Sequence, residues 1–140
     1  MKQYIKLTLL IIFICINFSC DIIYTEKIKD NYYLTSLKKN LPISISYKLE
    51  NGDYIGVVPE HVYEYSICEG YILAKQGILS TKNPKSIIDS NQTKYFIIPL
   101  NYKVNKSPDE NKIGPLNKED FYKKLNSLQI SDTLIYLSTY

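Results

Sequence analysis

The chain of 140 residues has no arginine and no tryptophan, one histidine, three cysteines and five glycines. Each scarcity excludes something. Without arginine there is no guanidinium fork for phosphates or base edges. A net charge of +3, carried by lysine alone, is too small for a nucleic-acid footprint, so no nucleic-acid partner is expected. One histidine and three scattered cysteines do not supply a structural zinc set, and no metal or cofactor is expected. Three cysteines cannot build a multi-bridge disulfide framework. The glycines are isolated and form no phosphate-cradling loop. No Gly-x-Ser-x-Gly elbow and no zinc-protease motif occurs.

What is present is apolar and aromatic. The chain is 45% hydrophobic and contains 14 tyrosines. That apolar share is too high for intrinsic disorder, and the length suits one domain.

Met1 to Cys20 reads MKQYIKLTLLIIFICINFSC. Lys2 and Lys6 form a basic start, Leu7 to Ile16 an apolar run interrupted by Thr8, and Ser19-Cys20 a small-residue end. This is the three-part layout of a secretory signal. The run is about ten residues, short of the roughly 20 that a membrane-spanning helix needs. Ser19 before Cys20 resembles a bacterial lipobox, in which the cysteine is acylated and the chain is cut before it. Asn17 stands where the strict lipobox has leucine, as in the looser lipoboxes of Bacteroidota. The expected organisation is a signal peptide over 1–19, a lipid-anchored tether over 20–30, and a single β-rich domain over 31–140. Cys20 is the expected lipidation site, and two or three acyl chains would hold it stably. Removing residues 1–19 leaves 15 lysines against 14 acids, a nearly neutral domain. Cys68 is then the only unmodified thiol.

Asp21 to Lys29 is expected to be a tether or a first edge segment. Tyr32 to Leu37 is β-prone. In Ile43 to Glu50 apolar and polar residues alternate with period two, which predicts a strand. Asn51-Gly52 then predicts a hairpin to Asp53–Val58, pairing Leu49 with Tyr54, Tyr47 with Gly56 and Ile45 with Val58, and setting Glu50 opposite Asp53. His61 to Glu69 alternates again, and Tyr71 to Gln76 follows the Gly70 turn. Residues 80–93 read as a loop. Lys94 to Tyr102 reads as a strand that Pro99 demotes at its end to an edge or bulge, and Asn105 to Gly114 as a second loop. Leu116 to Ile130 predicts a helix with Asn117 as N-cap, Asp120 completing a capping box, and Phe121, Leu125 and Leu128 on one face. Leu134 to Leu137 offers a last strand. The expected fold is α+β: an antiparallel meander of five or six strands in one sheet, with one C-terminal helix packed on it.

His61 and Cys68 invite a nucleophilic dyad, but seven residues on one strand put them on opposite faces about 23 Å apart. Glu60, Glu64 and Glu69 read as a solvated face, and Lys38-Lys39 and Lys123-Lys124 as solvated pairs. Tyrosine offers contact area with a polar tip. Tyr63, Tyr65 and Tyr71 are therefore the candidate aromatic binding face, for a glycan or an envelope protein.

The lipobox, the meander with its Tyr33–Leu37 element, YILAKQ, YFII, and Gly-Pro-Leu before a capped helix together resemble small uncharacterised bacterial lipoproteins (Bacteroidota- or Bacillota-like) built on domains of unknown function. The resemblance implies a membrane-tethered β-rich module and supplies no catalytic residue. The expected function is a cell-envelope lipoprotein, anchored to a bacterial membrane, acting as a non-enzymatic binding or interaction module. The alternatives are an immunity-type lipoprotein that neutralises a toxin and a hydrolase with an unrecognised site.

Overall fold

The computed structural model describes residues 24–37, 42–77, 92–101, 106–131 and 137–138. Cys20, Lys38-Lys39, residues 80–91 of the expected loop and residues 134–136 lie outside the described residues.

The described chain is mostly antiparallel β with one C-terminal helix. Its strands are β1 (Tyr24–Lys29), β2 (Tyr32–Ser36), β3 (Ser44–Lys48), β4 (Tyr54–Val58), β5 (Val62–Cys68), β6 (Tyr71–Gln76), β7 (Lys94–Pro99), β8 (Ile113–Leu116) and β9 (Leu137–Ser138), with α1 (Lys118–Ser127) before the last. The expectation of five or six strands in one sheet is corrected to nine in two sheets. One sheet has the order β1-β2-β3-β4 and the other β8-β7-β6-β5-β9. The reason is local. Pro59 cannot continue a ladder, and His61 takes a positive φ of 75°, so the chain leaves one sheet and enters the other. Residues 24–29, within the expected tether, form the edge strand β1. The IGPL strand β8 was hidden by its Gly-Pro.

The sheets face each other across one core. Tyr32, Leu34, Ile45, Val57 and Val58 from the first meet Val62, Tyr65, Ile72, Ala74, Phe96 and Ile98 from the second. On its other side the second sheet meets the helix, where Leu73 and Ile97 pack with Phe121, Leu125 and Ile130. This explains the unbroken apolar run of β7: Phe96 and Ile98 face one layer while Ile97 faces the other. β7 is thus an interior strand, paired with β6 and β8, and Pro99 is its last residue.

Turn chemistry sets the registers. Glu69 and Gly70 both have positive φ, the pattern of the tight turn whose twist suits a hairpin, and Cys68 pairs with Tyr71. At Asn51-Gly52 the loop is one residue longer than expected. The Gly52 N–H donates to the Leu49 carbonyl at 3.0 Å, Leu49 N–H to the Asp53 carbonyl at 2.8 Å, and Gly52 has φ 93°. Lys48 therefore pairs with Tyr54 and Tyr47 with Ile55, and Glu50 lies in the loop rather than opposite Asp53. The expected Ile45–Val58 pair forms, because a bulge at Val57 absorbs the offset. Both Val57 and Val58 are consequently buried in the core.

The helix starts as expected. The Asn117 side chain accepts from the Asp120 N–H at 2.9 Å and donates to the Asp120 carboxylate at 2.7 Å. It stops earlier than expected, at Ser127. Gln129 is left-handed at φ 59°, its N–H bonds the Asn126 carbonyl and the Ile130 N–H bonds that of Leu125, both at 3.1 Å. This is a Schellman stop with glutamine where glycine usually signals it.

The sandwich has two distinct ends. The turns at Asp30, Glu50–Gly52 and Glu69–Gly70 lie at one, where the Tyr32 hydroxyl donates to the Pro99 carbonyl at 3.3 Å. The starts of β1, β3 and β5 and the ends of β2 and β4 lie at the other. There the Val62 N–H bonds the Ile43 carbonyl at 2.9 Å.

Candidate functional site

The outer face of the first sheet is built from alternate residues of the same strands that form the core. Leu34 and Ile45 point inward, so Thr35, Ser44 and Ser46 point outward. Thr35 and Ser46 are only 4% and 5% exposed, and their hydroxyls are 2.7 Å apart. Gly56 stands opposite Ser46, and a side chain added there would meet nothing within 4 Å. A groove of about 410 Å³ opens over this floor.

Its walls come from three places. Ser36 ends β2 and Leu37 follows it, Pro59 and Glu60 leave β4, and Asp109 and Lys112 belong to the segment before β8. Pro108, in the same segment, is fully buried. The Ser107 hydroxyl donates to the Asp109 carboxylate. That bond holds the Asp109 carboxyl below the usual carboxylate range, so it stays ionised and acts as an acceptor. The groove therefore offers hydroxyls, the carboxylates of Glu60 and Asp109 and the Lys112 ammonium group over an apolar rim. These groups suit a polar ligand held by hydrogen bonds.

Farther along the same face lies an aromatic corner. The Tyr33 and Tyr54 rings meet edge to face at 5.6 Å, and Lys48 Nζ lies 5.9 and 5.7 Å from their centres. The ammonium group fills the corner through cation–π attraction.

The three tyrosines expected to share a binding face do not come together. Tyr65 is 8% exposed and points into the core between the sheets. Burial, with Glu26 nearby, pushes its hydroxyl pKa up. Tyr71 pairs with Cys68, three residues from Tyr65, and so takes the opposite face against the helix layer. Tyr63 sits in the β5 bulge, its hydroxyl 2.9 Å from that of Thr93. Period two was interrupted at that bulge, and the two-residue turn reversed the side on which Tyr71 emerges.

His61 immediately precedes β5 and Cys68 is its last residue, so the two are held apart by the length of the strand. Burial first and Glu69 second push the Cys68 thiol up. Glu64 pairs with Lys75 across the β5–β6 ladder at 2.6 Å. Among the described residues no three His, Cys, Asp or Glu side chains gather as metal ligands would, and no helix is long and apolar enough to cross a membrane.

The groove escaped sequence reading because its floor is split among three strands. One signal was available: Gly56 in an otherwise β-branched run, where a missing side chain leaves room for something to approach.

No curated protein and no solved structure matches the chain. Residues 29–140, most of its length, match the family described as Protein of unknown function (DUF3997), and the chain belongs to that family.

Proposed function

We propose that this protein is a cell-envelope lipoprotein, tethered through acylated Cys20, which binds a polar ligand in the groove over Thr35, Ser46 and Gly56. It acts by binding and not by catalysis. The observation that carries this reading is the bare Gly56 floor beside two buried, mutually bonded hydroxyls. The hydroxyl pair is fixed before a ligand arrives, which lowers the ordering cost of binding. The ionised state of Asp109, held by Ser107, suits an acceptor better than a proton donor. The anchor is supported by the Ser19-Cys20 end of the apolar run.

Both halves can be tested in cells. Cys20→Ala moves the protein out of the membrane fraction; unchanged fractionation removes the anchor. A photoreactive residue at Ser44 yields a discrete adduct that Gly56→Leu abolishes, and one at Tyr122 does not. Equal adducts from Ser44 and Tyr122, insensitive to Gly56→Leu, remove the groove.

A further inference from the structure

The proposed anchor and the first strand are very close in sequence. Three residues separate Cys20 from Tyr24, the start of β1. However those residues are arranged, they span at most about 14 Å. An acylated Cys20 sits at the lipid surface, so the start of β1 is held near that surface.

The start of β1 identifies one end of the sandwich. Tyr24 pairs with Ser36, the last residue of β2. Leu37 follows at once and is 43% exposed, the most exposed large apolar residue among those described. The groove is at this same end: Thr35 is the residue before Ser36, Ser44 pairs with it, and Val58 closes β4 one strand farther on. Neighbouring strands are about 4.8 Å apart, so Val58, three strands along from Tyr24, lies roughly 15 Å from it. The opposite end carries the exposed acids Asp30, Glu50, Asp53 and Glu69 in or beside its turns, with Lys29 and Lys48 among them. An anionic lipid surface repels that end, with four acids against two lysines, more than the groove lining, where Glu60 and Asp109 stand against Lys112.

We infer that the end of the sandwich bearing Leu37 docks on the headgroup layer of the membrane that holds Cys20, so that the groove opens beside the lipid headgroups and the hairpin turns point away. This rests on the acylation of Cys20 in the reading above. It adds an orientation: the bilayer surface is the partner of this end, with Leu37 and Pro59 as its apolar contacts and Lys112, beside Glu60 and Asp109, as its basic one.

The test uses the full chain, expressed in a bacterium, purified from membranes and reconstituted in vesicles of phosphatidylethanolamine and phosphatidylglycerol. A fluorophore is placed on Leu37→Cys, or on Ile67→Cys at the far end, each in a Cys68→Ser background. Ile67 is also exposed, and β5 carries it about 17 Å from Val62 at the groove end. With headgroup-spin-labelled lipid, quenching at position 37 exceeds that at position 67 several-fold. Hydrogen exchange on the unsubstituted protein gives an independent readout: vesicles protect the end of β2 and leave the turn at Gly70 unchanged. Acylated Cys20 with equal quenching and no such protection overturns this inference alone. A Cys20 that carries no acyl chain, read by mass on the same preparation, overturns both this inference and the anchored reading.

Discussion

Thr35 and Ser46 share a hydrogen bond of 2.7 Å between their hydroxyls, on adjacent strands and almost wholly out of solvent. The pair faces the groove, not the core. One hydroxyl donates to the other, so the floor of the groove is both polar and fixed.

Breaking that pair from one side leaves a buried hydroxyl without its partner. Thr35→Val or Ser46→Ala is expected to cost about 1–3 kcal/mol each. The double variant should cost less than the sum. Urea unfolding of the four-member cycle measures this, and strict additivity would show that the two hydroxyls are not coupled.

Gly114 cannot accept a side chain. It has φ 132°, and an added Cβ would lie 2.7 Å from the Tyr95 carbonyl oxygen and 2.9 Å from the Phe96 ring. Backbone cannot yield as a flexible side chain would. Gly114→Ala should therefore destabilise by roughly 2–4 kcal/mol, seen as a lower thermal midpoint. Gly56→Ala, over open space, should leave that midpoint nearly unchanged.

The helix end offers a change in the opposite direction. Gln129 is held left-handed at φ 59°, a region costing a non-glycine residue about 1 kcal/mol. Gln129→Gly should recover about that much, raising the urea midpoint. Leu125→Ala, which empties the fully buried site beneath, should cost about 2–5 kcal/mol.

Cys68 should react slowly. Desolvation by burial and the nearby Glu69 both disfavour its thiolate, and the thiolate is the nucleophile. A raised folded pKa favours the neutral thiol, so its contribution to stability is present at low pH and is lost as pH rises through the folded value. Alkylation by iodoacetamide at pH 8 is expected to lag behind a free model thiol, and the gap should narrow as pH rises. A rate equal to the free thiol would show that the group is not shielded.

Much of the architecture was readable residue by residue. Alternation marked β3 and β5, Gly70 marked its turn, and Asn117 with Asp120 marked the start of the helix, because these signals act within a few residues. The division into two sheets was not readable. Alternation says which side of a strand is apolar but not which sheet it joins, and the Pro59–His61 crossing has no pattern of its own. The register near Asn51 was missed because a bulge at Val57 compensates a longer turn, and only the paired strands show both. The groove was missed for a related reason: Thr35 and Ser46 are neighbours through the β2–β3 register, and Ser46 and Gly56 through the register that the longer turn sets.

The anchored account stands on Cys20, and the mass of the first peptide of the protein purified from membranes tests it most directly. The account predicts a chain that begins at Cys20 and carries two or three acyl chains. A membrane-associated chain with unmodified Cys20, or one cut at another residue, would contradict it.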